Sequence, residues 1–353
     1  RDYYFIPRSA VCYQETDLML GLKYLNDLAD RLALPLVVCI TVGTSMGGHT
    51  GTLPFPYLIE GYSTKPNRIT VIGTGNEADK RHHYYNTLAG PTDTKTVEVR
   101  VGENVNGFFL ELWTEIPNIL SISMISPSGE NTFRIPLRVG AAAELDFLFE
   151  RTTVTVDYRV LVEKTTSELI FFRFDAPAPG IWKIIVEPLN AIDGSFHMWL
   201  PMTEFLSGEV YFLESDPYYT LTSPANTASP VVVSYYDGNT EGVAQTSGRG
   251  YTRAQRINPD ITAPGINIRG ALPGGRFSTR SGSCASAAVT VGAVALMMEW
   301  LIYIQDVPGI DSYQIKSLLI LGAVRPGTME YPNREWGYGQ LNLYNTFETM
   351  RQL

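Results

Sequence analysis

The hydrophobic pattern of the first 85 residues alternates between helical and extended periods. Leucine and alanine recur at three- and four-residue steps across residues 15–34, which predicts an amphipathic helix that Pro35 ends. Residues 36–42 and 68–74 are short apolar runs, as is typical of strands buried in a parallel sheet. This order predicts a doubly wound α/β sheet, in which functional groups gather at the carboxyl ends of the strands.

The pattern changes between residues 86 and 205, where hydrophobic and polar positions alternate along short segments. These segments are residues 96–101, 108–113, 121–125, 152–161, 169–174, 181–186 and 195–200. Turn sequences such as Ser128-Gly129 and Pro179-Gly180 separate them. Short strands at regular spacing between turns indicate an all-β sandwich inserted into the α/β domain.

The α/β pattern resumes at residue 206 and continues to residue 353. Residues 231–236 have the pattern of a strand, residues 248–260 form a polar loop, and residues 311–321 predict an amphipathic helix. A longer stretch of Ala, Val, Leu and Met starts after Gly282 and ends at Glu299-Trp300. Because this stretch is apolar on nearly every side, it predicts a helix buried in the core.

Composition and charge narrow the class of protein. With 44% hydrophobic and 18% charged residues, the chain is typical of a globular protein with one or two cores. The net charge of -9 without a basic tract disfavours nucleic-acid binding, and no apolar run indicates a transmembrane span. The three cysteines do not have the spacing of a disulfide framework. Since the sequence starts at Arg1 without a signal peptide, we expect that a preceding part was removed or is absent.

The candidate chemistry begins with Cys284, at the start of the long apolar helix. Backbone N–H groups and the helix dipole favour an anion at a helix N-terminus, so this sulfur is a candidate nucleophile. A small cysteine is also commonly packed where a helix enters a core, and the segment by itself favours that role.

Two sequence motifs indicate which of these roles Cys284 has. The sequence P-D-I-T-A-P-G at residues 259–265 is followed by S-G-S-C-A-S at residues 281–286. Together they resemble the signature of the subtilisin-like serine proteases, P-D-[VI]-x-A-P-G and then, about twenty residues later, S-G-T-S-x-A. On this match the nucleophilic serine of the family falls on Cys284. A slip by one residue would make Ser283 the nucleophile, but it would displace Gly292 from the glycine that the family has in this helix.

The same resemblance implies roles for two further segments. I-T-V-G at residues 40–43 resembles the family's substrate-binding strand, so Thr41, Val42 and Gly43 are candidates for pairing with a substrate backbone. G-T-G-N-E at residues 73–77 resembles the segment whose asparagine donates to the oxyanion, which falls on Asn76. Such an amide donor can contribute about 2.7–4 kcal/mol to catalysis. Without the resemblance, Asn76 would be interpreted as a turn residue and residues 41–43 as the end of a strand.

The inserted sandwich narrows the resemblance to one group of subtilases. The chain resembles the Csp group, the germination proteases of clostridial spores and their relatives, which carry a jelly-roll domain at this place. Y-P-N-R-E-W-G-Y-G at residues 331–339 and segments at residues 5–7 and 14–17 match as well, so the resemblance covers nearly the whole chain. It implies a subtilase domain in residues 1–85 and 206–353, a jelly-roll insert in residues 86–205, and a location in the bacterial spore.

The general base and its partner are missing from the chain. A serine protease of this family needs a histidine and an aspartate, which the family carries in H-G-T-H and D-[ST]-G segments. Neither segment occurs here. The histidines are His49, His82, His83 and His197. We expect His49 to be solvated, His82 and His83 to lie at the mouth of the site, and all four to be structural or exposed.

We predict no cofactor and no metal, because His82 and His83 with Asp79 or Glu77 would be a thin ligand set. Two functions stay open. One is a pseudoprotease with Cys284 at the nucleophile position, which binds a protein or peptide partner in spore germination signalling. The other is an active endopeptidase whose aspartate and histidine lie on an absent N-terminal segment, with a prodomain as a further partner. In that case the helix N-terminus would favour the Cys284 thiolate.

Overall fold

The computed structural model describes residues 2–90, 92–135, 137, 140–162, 165–190, 194–307, 309–327 and 329–352. The α-helices in these residues are α1 (Glu15–Leu32), α2 (Pro54–Ser63), α3 (Ser283–Glu299), α4 (Ser312–Gly322) and α5 (Leu343–Met350). The strands are β1 (Leu36–Ile40), β2 (Arg68–Gly73), β3 (His83–Asn86), β4 (Lys95–Val101), β5 (Gly107–Glu115), β6 (Ile119–Ile125), β7 (Ala143–Phe147), β8 (Thr152–Arg159), β9 (Ser167–Asp175), β10 (Gly180–Asn190), β11 (Phe196–Trp199), β12 (Val210–Phe212), β13 (Val231–Asp237), β14 (Gly242–Val243), β15 (Ile261–Pro264), β16 (Ile268–Leu272) and β17 (Arg276–Arg280).

The larger of two compact units contains Tyr13–Thr44, His49–Asp79 and Tyr218–Leu353, and it is built on a parallel sheet. β1 pairs in parallel with β2, β2 with β13, and β13 with β15, while β14 adds a short antiparallel edge. The carboxyl ends of β1 and β2 therefore lie side by side at one edge of the sheet. These ends carry the segments that the sequence singled out as candidates.

Helices cover both faces of this sheet. Because successive side chains of a strand point to opposite faces, Val38 and Ile40 pack in one core with residues of α1 and α2, whereas Val37 packs in the other core with α3 and α4. In β2, Val71 packs in the core with α3 and α4, and Ile72 packs in the core with α1 and α2. The predicted doubly wound α/β sheet is confirmed.

The helix α3 is buried on one side only, so the prediction that it is buried all round is wrong. Its buried residues include Ala287, Val294 and Met297, which face the sheet, but Leu296 is 52% exposed. The helical segment Ser283–Ile304, which includes a π-helical turn after α3, is long and apolar enough to cross a membrane by length and composition alone. A core helix passes the same test, and this one packs against the sheet.

The second unit contains Arg1–Cys12, Ser45–Gly48 and Lys80–Pro217, and it is all-β. One antiparallel sheet has the order β12-β4-β10-β6 and the other the order β3-β11-β5-β9-β8-β7. Side chains from both sheets form one core, in which Phe172, Trp182 and Phe196 have no exposed surface. The all-β sandwich is as predicted, and its jelly-roll connectivity stays a prediction.

The bounds of this unit differ from the predicted 86–205. β3 pairs with β11 and β12 pairs with β4, so strands on both sides of the predicted range complete the two sheets. The ring of Tyr4 also packs edge-on against Phe109 of β5, which ties the first residues to the sandwich. The local alternation of β3 and β12 is too short to indicate which core they join.

Candidate functional site

The site is built around the turn that leads into α3. Gly282 precedes the helix with a φ of 129°, and a Cβ atom there would lie 3.2 Å from the Asn76 side chain. Only glycine adopts this backbone conformation readily at such a close approach. The Gly282 N–H donates to the Gly265 carbonyl at 2.8 Å. The glycine of the motif therefore lets α3 begin directly against Asn76.

Asn76 follows β2 and is hydrogen-bonded to the first residue of α3. Its Oδ1 accepts from the backbone N–H of Ser283 at 2.9 Å. Because a backbone N–H needs an acceptor, this bond assigns the amide orientation and leaves Nδ2 as the free donor. Asn76 and Cys284 therefore border one site, as the sequence predicts for residues about 200 positions apart.

Ser283 and Cys284 have opposite environments. The Ser283 side chain is buried, and its hydroxyl oxygen accepts from the Gly75 N–H at 3.2 Å. The Cys284 side chain is exposed, and its thiol makes a weak hydrogen bond of 3.5 Å to the Thr41 carbonyl. The exposed position is the one that a nucleophile needs, which supports the alignment of the family's serine with Cys284 rather than with Ser283.

Two donors at this turn are available to a ligand. Within the described part of the chain, neither the Cys284 N–H nor the Asn76 Nδ2 has an acceptor. The first N–H groups of a helix have no intrahelical partner, and they attract negative charge. Chemically, this pair of donors could hold a carbonyl oxygen or an oxyanion.

The backbone after β1 offers an open edge. The strand ends at Ile40, and the N–H and C=O groups of Val42 and Gly43 make no hydrogen bond with any described residue. Beyond them, Thr44 pairs with Ser223 by two backbone hydrogen bonds. Unpaired groups at the edge of extended backbone can bind another extended segment. Gly43 is required here, because a Cβ atom would lie 2.7 Å from the Thr222 hydroxyl.

Among the described residues of the α/β unit, no imidazole is hydrogen-bonded to the Cys284 thiol. The only hydrogen-bond partner of its thiol in the described residues is the Thr41 carbonyl. His49 belongs to the same unit as Cys284, but it is only 4% exposed, so the expectation that it is solvated is wrong. The backbone of this loop is held by a hydrogen bond from the Arg253 N–H to the His49 carbonyl.

His82, His83 and His197 belong to the all-β unit, and all three side chains are buried. The His83 Nε2 and the His197 Nδ1 are 3.0 Å apart, and both rings stack on Trp199. This is a packed aromatic cluster. Among the residues that the structure describes, no group of three or more His, Cys, Asp or Glu side chains could hold a metal ion.

Two neighbours of Cys284 were not singled out by sequence reasoning. Burial raises the pKa of the Tyr235 hydroxyl, and the charges of Asp79, Cys284 and Glu77 raise it further. Desolvation likewise raises the pKa of the Cys39 thiol, and the charge of Cys284 adds to this effect. Their proximity comes from packing between β1, β13 and α3, and no local signal in the sequence indicates it.

Asp260 of the P-D-I-T-A-P-G motif has a structural position. It is 3% exposed, accepts from the Val232 N–H at 2.7 Å, and lies 3.0 Å from the Lys316 ammonium. Burial raises the pKa of its carboxyl, whereas Lys316 and the Val232 N–H oppose that shift. The carboxylate joins β13, β15 and α4, and thereby holds the sheet that carries the site.

Comparisons with known proteins agree with this architecture. Residues 213–339 match the subtilase family, Peptidase_S8. Among solved structures, this chain is similar to the CspB protease of Clostridium perfringens, with 30% sequence identity and a TM-score of 0.88. The match covers 96% of this chain and 71% of the CspB chain. It therefore includes both units described above.

Other similar structures match a smaller part of this chain. A mutant of the protease domain of PatA is 25% identical over 38% of this chain and 45% of that chain, with a TM-score of 0.32. The prenylagaramide maturation protease PagA is 24% identical over 37% of this chain and 46% of the PagA chain, with a TM-score of 0.32. These scores are too low to compare folds. No curated protein matches the sequence.

Proposed function

Since this chain belongs to the Csp-type subtilisin-like proteins, we propose that it is a non-catalytic member, a pseudoprotease that binds a protein or peptide segment in its former substrate site. The observation that carries the proposal is the residue at the nucleophile position. Cys284 is exposed there, and its thiol is hydrogen-bonded to a backbone carbonyl instead of a base. A site arranged for a hydroxyl and a neighbouring histidine positions the larger sulfur atom poorly.

Binding is supported by the parts of the site that are intact. The open backbone groups of Val42 and Gly43 suit pairing with an extended peptide. The Asn76 Nδ2 and the Cys284 N–H suit a carbonyl oxygen of the same peptide. A ligand held in this way needs neither a base nor a nucleophile. The setting we propose is spore germination signalling, because this is where the resemblance to the Csp group places such proteins.

A second function is favoured by the same donors. An active endopeptidase also needs an oxyanion site, and the two donors beside Cys284 would serve that purpose. The aspartate and the histidine would then have to come from sequence that precedes residue 1. Reading the upstream gene sequence for an H-G-T-H segment decides between the two functions at little cost, because the endopeptidase cannot work without it.

We expect little or no peptidase activity from the chain as given, because it lacks the base and its orienting aspartate. A triad without its base retains only about 10³–10⁴ of rate enhancement over water, far less than the complete triad provides. The measurement is cleavage of a broad fluorogenic peptide library by the purified protein and by Cys284→Ser, with Cys12→Ser as the matched control. Turnover that disappears in Cys284→Ala but not in Cys12→Ala would overturn the proposal.

Replacement of Asn76 by aspartate separates its two roles. Asn76→Asp keeps an acceptor for the Ser283 N–H and loses the Nδ2 donor, whereas Asn76→Ala loses both. If an upstream segment together with Cys284→Ser produces a peptidase, Asn76→Asp should lower kcat by about 10²–10³, with the unfolding temperature retained. An unchanged kcat would mean that Asn76 does not serve as an oxyanion donor.

A further inference from the structure

Cys39 lies on the side of the sheet that faces α3. In β1, Val38 and Ile40 pack with α1 and α2, whereas Val37 packs in the core that contains α3. Because side chains alternate along a strand, Cys39 points to the same side as Val37. β1 is the outermost strand of the described sheet, with β2 as its only partner, and Cys39 is accordingly exposed.

Cys284 approaches the same strand from α3. Its thiol is 3.5 Å from the backbone carbonyl of Thr41, two residues after Cys39 in the chain. Two residues of extended chain span about 6.6 Å, so the Cys284 thiol lies beside the backbone that directly follows Cys39. Burial raises the pKa of the Cys39 thiol, and the charge of Cys284 raises it further, as expected for cysteines on adjacent elements. Both thiols are exposed and neither is in a disulfide.

We propose that Cys39 and Cys284 form a dithiol site, which closes to an intramolecular disulfide on exchange with a small-molecule disulfide. This site shares Cys284 with the proposed peptide site, but thiol exchange does not require a bound peptide, and nothing in the sequence motifs indicates the pairing with Cys39. Its first partner is Cys284, whose exposed thiol lies in the first turn of α3. Its second partner is Cys39, the only other cysteine in the same unit of the described chain.

The exchange takes place in two balanced steps. The Cys284 thiolate attacks one sulfur of the small disulfide, the sulfur–sulfur bond breaks, and one small thiolate leaves with the electron pair and takes up a proton. The Cys39 thiolate then attacks the Cys284 sulfur of the mixed disulfide and expels the second small thiolate. The two protein thiols are oxidised, and the small disulfide is reduced to two thiols.

Closure would change the neighbouring binding edge. The Cys284 sulfur would leave the Thr41 carbonyl, and the start of α3 would be tied to β1. Thr41, Val42 and Gly43 follow β1 directly, and their open backbone groups lie next to the new bond. Oxidation would therefore occupy the sulfur at the nucleophile position and alter the edge that accepts an extended segment.

The test is made on the whole chain at low concentration, with oxidised glutathione as the small disulfide. Of the three thiols, two should be lost and one retained, and non-reducing digestion should yield a peptide that joins Cys39 to Cys284. Cys12→Ser should still lose two thiols. Cys39→Ser should instead hold a single glutathione on Cys284. Phenylarsine oxide, which bridges paired thiols, should block the exchange in the parent and not in Cys39→Ser.

Separate glutathione adducts on Cys39 and Cys284 without a joined peptide would overturn the proposal, as would a disulfide formed only between molecules. Denatured protein serves as the reference, because an unfolded chain favours the short loop between Cys12 and Cys39 over the long loops that reach Cys284. The readout measures neither peptide binding nor turnover. A negative result therefore leaves the proposed function untouched, and failure of the proposed function leaves the dithiol intact.

Discussion

Asp260→Ala is expected to lower the free energy of unfolding of the α/β unit by about 3–5 kcal/mol. The Lys316 side chain is only 11% exposed, and the substitution leaves its ammonium with the Ala228 carbonyl but without a counter-charge. It also removes the acceptor of the Val232 N–H in the middle of the sheet. Removal of one member of a buried pair costs far more than the pair contributes, because the remaining charge stays desolvated.

The measurement is hydrogen exchange of β13 and β15 under native conditions, which reports on this unit separately from the all-β unit. Asp260→Asn should be less harmful, because its amide oxygen can still accept from Val232. The double variant Asp260→Ala with Lys316→Met should recover part of the loss, since no buried charge remains. If the double variant is destabilised by the sum of the two single effects, Asp260 and Lys316 are not coupled.

Glu168 makes the stability of the all-β unit depend on pH. The side chain has no exposed surface, its Oε2 accepts from the Leu120 N–H at 2.9 Å, and its Oε1 has no partner among the described residues. Burial raises the pKa of this carboxyl to about 7 from its ordinary 4.5, and the hydrogen bond from Leu120 opposes that shift. The folded state therefore holds a proton that the unfolded state has already released at neutral pH.

The direction of the pH dependence follows from this difference in protonation between the folded and unfolded states. Below pH 4.5 both states are protonated, and Glu168 contributes nothing to the pH dependence. As the pH rises from 4.5 to 7, the unfolded chain loses the proton first, so stability falls. Above pH 7 the loss is complete, at about 3 kcal/mol, because one pKa unit corresponds to about 1.4 kcal/mol.

Glu168→Gln should remove this pH dependence. Its amide oxygen can accept from Leu120, but its NH₂ group needs an acceptor, so the stability of the variant at a single pH is not the decisive number. The decisive quantity is the difference in free energy of unfolding between variant and parent. From pH 4 to pH 9 this difference should shift by about 3 kcal/mol in favour of the variant. Glu103→Gln, at an exposed position, is the matched control. A parallel pH profile for parent and Glu168→Gln would contradict the prediction.

The sequence alone predicted the elements that depend on near neighbours. The period of residues 15–34 indicated α1, which runs from Glu15 to Leu32, and the apolar runs indicated β1 and β2. The alternation in the middle of the chain indicated β4, β5 and β9 with their approximate bounds. Helix and strand periods arise from local backbone geometry, so a sequence expresses them directly.

Part of the site was also predictable, but from the spacing of motifs and not from hydrophobic periodicity. The motifs around Asn76 and Cys284 have a spacing that few folds share, and therefore the resemblance brought residues 208 positions apart into one site. The orientation of the side chains there was not predictable from the sequence. Ser283 and Cys284 are adjacent, yet one hydroxyl is buried against the Gly75 N–H and one thiol is exposed.

Only the tertiary structure decided which surfaces are covered and which distant residues meet. It assigned β3 and β12 to the all-β unit, left one side of α3 open, and buried His49. It also paired Asp260 with Lys316 and brought Cys39 towards Cys284. Burial and pairing depend on contacts between segments far apart in the chain, and hydrophobic periodicity identifies an apolar side chain without identifying what covers it.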